Sequence, residues 1–200
     1  MPIPVYDFHT DLSNLVVEPE IRSRFRRVEL GPVPEVHSHD LGGETFVVME
    51  GQIEFTVADE HVVCQQGQAI FVPPRTTHAV RAVGAQTGVI YLSVSPHVEP
   101  THTFYGPDGQ RLPPRYGVWR AAGGSSPASD SPSAQLATYR AAAQQLAALA
   151  QASAATPVAD VSPEAIKSTV DQLWAALKPV LEQVEVVERT WNALAQRASA

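Results

Sequence analysis

Between residues 45 and 94 apolar side chains recur at every second position in short runs, the period of a strand with one buried face. The clearest run is Gln52-Ile-Glu-Phe-Thr-Val57, where Ile53, Phe55 and Val57 are predicted to face a core and Gln52, Glu54 and Thr56 to face away. With Phe46, Val47 and Val48 before it and Gly51 between, residues 45–57 read as a hairpin. A short strand and turn at 61–67 and further strands at 69–72, 79–83 and 88–94 continue the pattern. Many short strands at even spacing predict an all-β barrel or sandwich.

After residue 120 the period changes. Residues 121–133 are rich in Gly, Ser and Pro and read as a flexible linker. Residues 134–153 are almost entirely Ala, Gln and Leu, strong helix formers, and 163–198 carry a helical stripe through Ile166, Val170, Leu173, Trp174, Leu177, Leu181, Val184, Val187, Trp191 and Leu194. Ser162 before Pro163 and Glu164 predicts the cap of that second helix, and Pro179 predicts a kink or break in it. The stripe is expected to pack the two helices together, and then against the barrel or across a dimer. Residues 1–20, with their scattered prolines, read as an extended arm that adds a strand to the barrel edge or to a partner subunit. Residues 104–120, with Tyr105, Tyr116 and Trp119, read as a loop wrapping the barrel. The expected organisation is therefore a barrel with its arm and wrapping loop over 1–120, a linker over 121–133 and a two-helix extension over 134–200.

Composition narrows the function classes. The chain has 200 residues, enough for one substantial core with an appendage, and 44% of them are hydrophobic. Its formal charge is −7, with Lys167 and Lys178 as its lysines, so a general basic face for nucleic acid is not expected. The one basic cluster places Arg22, Arg24 and Arg26 on one face of a strand; we expect that face to look outward into solvent, the alternative being an inward face that recognises a carboxylate or phosphate by forked hydrogen bonds. Cys64, the single cysteine, excludes an internal disulfide and fits a reducing compartment. No run is long and apolar enough for a membrane span and no leader opens the sequence, which predicts a cytoplasmic protein with neither membrane nor nucleic-acid partners. The frequent Ala, Pro and Arg read as a high-GC bacterial gene.

Candidate chemistry lies at the barrel's start. His37 and His39 are two apart, so an extended segment points both imidazoles the same way. The Asp40-Leu-Gly-Gly43 turn lets the chain reverse and bring Glu44 beside them, and the proline turn at 73–74 delivers His78. Three imidazoles and a carboxylate suit one divalent transition metal, whether Fe, Mn, Ni, Cu or Zn, with positions left open for substrate. Phe46, Val48, Phe71 and Tyr91 are predicted by strand position to wall a small-molecule pocket, with Arg75 near its mouth. His97 and His102 are expected to be loop residues at that mouth, and His9 and His61 to be structural.

These residues resemble the first cupin motif, G-x5-H-x-H-x3/4-E-x6-G, through Gly31, His37, His39, Glu44 and Gly51. The second motif, G-x5-P-x-G-x2-H-x3-N, is matched by Gly67, Pro73 and His78, with Arg75 in place of glycine and Ala82 in place of asparagine. The resemblance covers residues 25–100. It implies a mainly β protein built on a single jelly-roll barrel, the double-stranded β-helix, with a C-terminal helical extension, and a metal held by His37, His39, Glu44 and His78. It implies metal chemistry while leaving the reaction open. We expect a dioxygenase acting on a small enolic, aromatic or carboxylate substrate, because an apolar wall suits such a molecule, with Glu44 doubling as a base and a homodimer as the assembly. The alternatives are a lyase, isomerase or hydrolase using the ion as a Lewis acid, and a non-catalytic ligand-binding cupin.

Overall fold

Burial alternates along residues 43–50: Glu44, Phe46 and Val48 are buried while Thr45, Val47 and Met49 are partly exposed. Similar alternation runs along residues 52–55, 80–83 and 90–95. The computed structural model describes residues 3–32, 35–116, 131–157 and 166–199. Its elements are β1 (Asn14–Glu18), β2 (Ile21–Val28), β3 (His37–Ser38), β4 (Gly43–Glu50), β5 (Gln52–Val57), β6 (Glu60–Gln65), β7 (Ala69–Val72), β8 (His78–Val83), β9 (Gly88–Ser95), β10 (Thr103–Phe104), α1 (Pro132–Ala154), α2 (Ile166–Ala195) and a short 3-10 turn, Gln196–Ser199.

The strands form two five-stranded antiparallel sheets, ordered β1-β2-β9-β4-β7 and β10-β3-β8-β5-β6. Their inner faces share one core that includes Phe46, Val48, Ile53, Phe55, Ile90 and Leu92. Each such side chain contributes about 1.5–3 kcal/mol on burial. The fold is the jelly roll that the motifs implied, carrying a helical extension.

The chain path differs from the predicted hairpin. β4 pairs with β7 and β9, and β5 pairs with β6 and β8, so the turn at Gly51 carries the chain from one sheet to the other. Alternation determines which side chains face inward, and it does so equally well for either pairing. Gly51 is required there: its φ is +81° and a Cβ would lie 3.0 Å from Gly88 Cα. The turn at 40–42 likewise joins β3 to β4 across sheets. The N-terminal arm supplies β1, which pairs with β2 at a sheet edge of its own barrel.

The strands fall in one compact unit, and α1 with nearly all of α2 in another. Helix α1 starts at Pro132, two residues before the predicted start, because Ser131 caps it by accepting the Ala134 N–H at 3.2 Å. Pro179 lies inside α2 without ending it. The apolar stripe is only partly covered. Gln183 Nε2–H donates to the Ala142 carbonyl at 3.1 Å and Tyr139 meets Trp191 at 5.7 Å between ring centroids, whereas Ile166, Val170, Leu173, Trp174, Leu177 and Leu181 are exposed. Residues 117–130, which hold Trp119 and most of the predicted linker, and the predicted cap at Ser162, lie outside the described residues. No helix among the described residues is long and apolar enough to cross a membrane.

Candidate metal centre

Two sheets and two turns bring the four motif residues together. His37 on β3 stands directly opposite His78 on β8, while Glu44 enters from β4 in the facing sheet. His39 sits just past β3, at the start of the sheet-crossing turn. That turn runs so close to the loop after β9 that a Cβ on Gly42 would lie 2.6 Å from the Pro96 carbonyl oxygen and 2.7 Å from Val94 Cγ1. Arg75, where the motif has glycine, adopts the left-handed backbone that glycine favours, with φ 65°. Its backbone N–H donates to the His39 carbonyl at 2.7 Å, which ties the turn before His78 to the turn after His39.

The ligand atoms of His37, His39, Glu44 and His78 all lie within 4.8 Å of one another. His39 Nδ1 is 2.6 Å from the Thr101 carbonyl oxygen and His78 Nδ1 is 3.0 Å from that of Thr76. A carbonyl can only accept, so both Nδ1 atoms carry hydrogen, as in outer-shell support of metal-binding histidines. In the neutral rings both Nε2 atoms then present lone pairs, and each lies 2.8 Å from the same oxygen, Glu44 Oε2. Lone pairs and a carboxylate converging in a buried space repel unless a cation sits among them, whether added protons or a metal ion. Three imidazoles with one carboxylate fit a divalent transition metal and do not choose among such ions.

With protons as the cations, burial alone would raise the Glu44 carboxyl, but hydrogen bonds and charge from the imidazolium forms of His39 and His78 outweigh it and hold the group well below the usual range. Burial, then His78, lowers His37 to about 3, so it stays in the neutral form a metal needs. Burial, followed by His39 and His37, also holds His102 well below its ordinary value.

A cavity of about 400 Å³ opens beside the group, lined by Arg24, Arg26, Glu35, His37, His102 and Phe104 among others. A space of about 20 Å³ continues inward past Arg22, Glu44 and Phe46. The arginine row therefore faces into the barrel, contrary to the outward orientation expected from sequence. The pairing of β2 with β9 decides this: Arg22 lies opposite Val94, Arg24 opposite Leu92 and Arg26 opposite Ile90, and these three apolar residues are core. On the other face Phe25 packs against Tyr91 and Phe8, at 5.8 and 6.2 Å between ring centroids. Arg22 is 1% exposed; burial lowers it to about 10, opposed chiefly by Glu44, so it remains cationic.

The predicted wall divides accordingly. Phe46 lines the inner space with its ring centroid 5.9 Å from that of His78, and Val48 belongs to the core one layer below. Phe71 and Tyr91 differ from expectation. Each is opposite an outward residue of β4, Phe71 opposite Thr45 and Tyr91 opposite Val47, and Phe71 is 59% exposed. Arg75 is exposed and contributes through its backbone. His9 and His61 are exposed, bonded to Asp7 and Thr56 respectively.

Sequence reasoning undervalued the segment after β9. His97 and His102 are buried rather than at an open mouth, and the His102 ring lies 4.7 Å from His37 and 4.6 Å from His39 between centroids. The same segment supplies the Thr101 carbonyl and the buried Glu99. β10 then pairs with β3, Ser38 bonds Tyr105 at 2.8 Å, and Arg115 holds Glu35 at 3.0 and 3.2 Å, so the wrapping loop braces the His37 strand. The concentration of His, Glu and Thr over 97–102 was the available signal.

The Cupin domain family model matches residues 25–95. No curated protein matches the chain. Among solved structures, the chain is similar to a conserved protein with a double-stranded β-helix domain from Klebsiella pneumoniae, at 13% identity and TM-score 0.47, covering 52% of this chain and 97% of that one. It is also similar to KdgF from Halomonas sp., at 23% identity and TM-score 0.39, covering 44% and 79%. An RmlC-like cupin from Shewanella frigidimarina is similar at 24% identity and TM-score 0.39, covering 44% and 76%. Together with the motif residues and the two-sheet topology, the family match establishes residues 25–95 as a domain of the cupin superfamily.

Proposed function

We propose that this cupin is a metal-dependent enzyme acting on a small molecule, with His37, His39, Glu44 and His78 as the ligands. The observation that carries the reading is the convergence of two imidazoles, each fixed by a carbonyl at Nδ1, on one Glu44 oxygen. A bound divalent ion would supply Lewis-acid or redox chemistry through its open positions. Of these chemistries, the proposed reaction is a dioxygenation. The complete ligand set supports an enzyme over a ligand-binding cupin, and with Phe71 and Tyr91 outside the cavity the aromatic lining that supports an aromatic or enolic substrate is Phe46 and Phe104. Glu44 serves as a ligand and, when it leaves the ion, as the candidate base toward a substrate hydroxyl; full activity in Glu44→Gln with metal content preserved would overturn the base role.

Metal analysis of protein from unsupplemented cells, with His78→Ala beside it, tests the reading. Near-stoichiometric metal lost in the variant supports it; little metal in either protein overturns it. Oxygen uptake during turnover then separates a dioxygenase from a lyase, isomerase or hydrolase.

A further inference from the structure

The inner face of β2 presents three guanidinium groups to the interior of a protein whose net charge is −7. Cations facing a cavity are costly unless something offsets them. Glu44 offsets both Arg22 and Arg24, and Glu99 acts on Arg22 as well. Arg24 and Arg26 lie further along the same face and line the cavity of about 400 Å³ that reaches His37. Glu35, a carboxylate on the same wall, is engaged in a two-pronged bond by Arg115. A divalent ion in the metal group would make the cavity more positive still.

We propose that Arg24 and Arg26 form an anion subsite beside the metal group, and that the molecule entering the cavity is a small organic oxyanion bearing a carboxylate or phosphate. A guanidinium pairs with either group through two parallel hydrogen bonds, which fixes orientation as well as charge. The subsite holds the anionic head while the rest of the molecule lies in the wider cavity against His37, the inner space of about 20 Å³ beside Glu44 having room for about one water. The two arginines repel each other, and Arg26 depresses Arg24 after burial does, so an oxyanion between them relieves that repulsion as it binds. Arg22 is a positioning residue in this arrangement. Its charge offsets Glu44 and Glu99, and its 1% exposure leaves it no reach into the wider cavity.

The inference depends on the metal reading only for where the inner end of the ligand goes. Calorimetric titration with succinate, inorganic phosphate and uncharged succinamide, on zinc-loaded and chelator-treated protein, tests it. At least one anion is expected to bind at least about tenfold more tightly than succinamide, and Arg24→Gln/Arg26→Gln to lose about tenfold or more of that affinity, as expected for charge-assisted bonds. Arg24→Lys keeps the charge without the fork and is expected to fall between. The anion that binds better names the head group. Thermal unfolding of each variant confirms that it folds. Affinity unchanged in the folded double variant, or equal for succinamide, overturns the subsite. If zinc fails to load while arginine-dependent anion binding persists, the metal reading falls and this one stands; if zinc loads and the arginines do not matter, the reverse holds.

Discussion

Acid should destabilise this barrel through His97 by an amount the structure allows to be worked out. The side chain is 1% exposed, its Nδ1 is 2.9 Å from Thr101 Oγ1, and burial, then the charges of Arg22 and His39, lower its pKa from 6.5 to about 4. The folded state thus resists a proton that the unfolded chain accepts. Between those two values the unfolded state binds more protons, so stability rises with pH and is lost as pH falls from 6.5 toward 4. For these values, His97 alone removes about 2.5 kcal/mol between roughly pH 7.5 and 4.5, an order-of-magnitude figure. The assay is urea unfolding at several pH values, with chelator present so that metal release does not enter. His97→Gln, which stays uncharged and can still bond Thr101, isolates the contribution. Its stability is expected to fall less steeply with acid than that of the parent, by about that amount. Parallel pH profiles for the two proteins would refute the reasoning.

Two packing predictions follow from the same geometry. Phe46 is 2% exposed, with its ring centroid 5.1 Å from Phe55 and 5.9 Å from His78, so Phe46→Ala is expected to cost about 3–5 kcal/mol in urea unfolding and to weaken metal binding by loosening His78. Gly42→Ala places a methyl 2.6 Å from a backbone oxygen, and is expected to cost about 1–3 kcal/mol and to lower metal affinity by displacing the turn between His39 and Glu44; an unchanged midpoint and metal affinity would show that the turn yields freely.

The strands, their inward residues at Ile53, Phe55 and Phe46, and the four residues that gather as a candidate metal group were legible in the sequence, because period and motif spacing are local properties of a chain. Strand pairing was not, and the reversed faces of the barrel strands follow from that. The run Ile21-Arg-Ser-Arg-Phe-Arg-Arg-Val28 carries Ile21 and Phe25 on one face and three arginines with Val28 on the other, so side-chain character favours burying the wrong face. Only the register against β9, which aligns the arginines with Val94, Leu92 and Ile90, puts them inside. Likewise Phe71 and Tyr91 have the chemistry of a pocket wall, and their partners Thr45 and Val47 place them outside. His102 and the Thr101 carbonyl reach the site from a segment more than sixty residues beyond His39, a separation that no local pattern spans. Sequence alone determined what the metal group is made of; tertiary pairing decided that a cationic face stands next to it, because which side of a strand is buried depends on its neighbours as well as on its own residues.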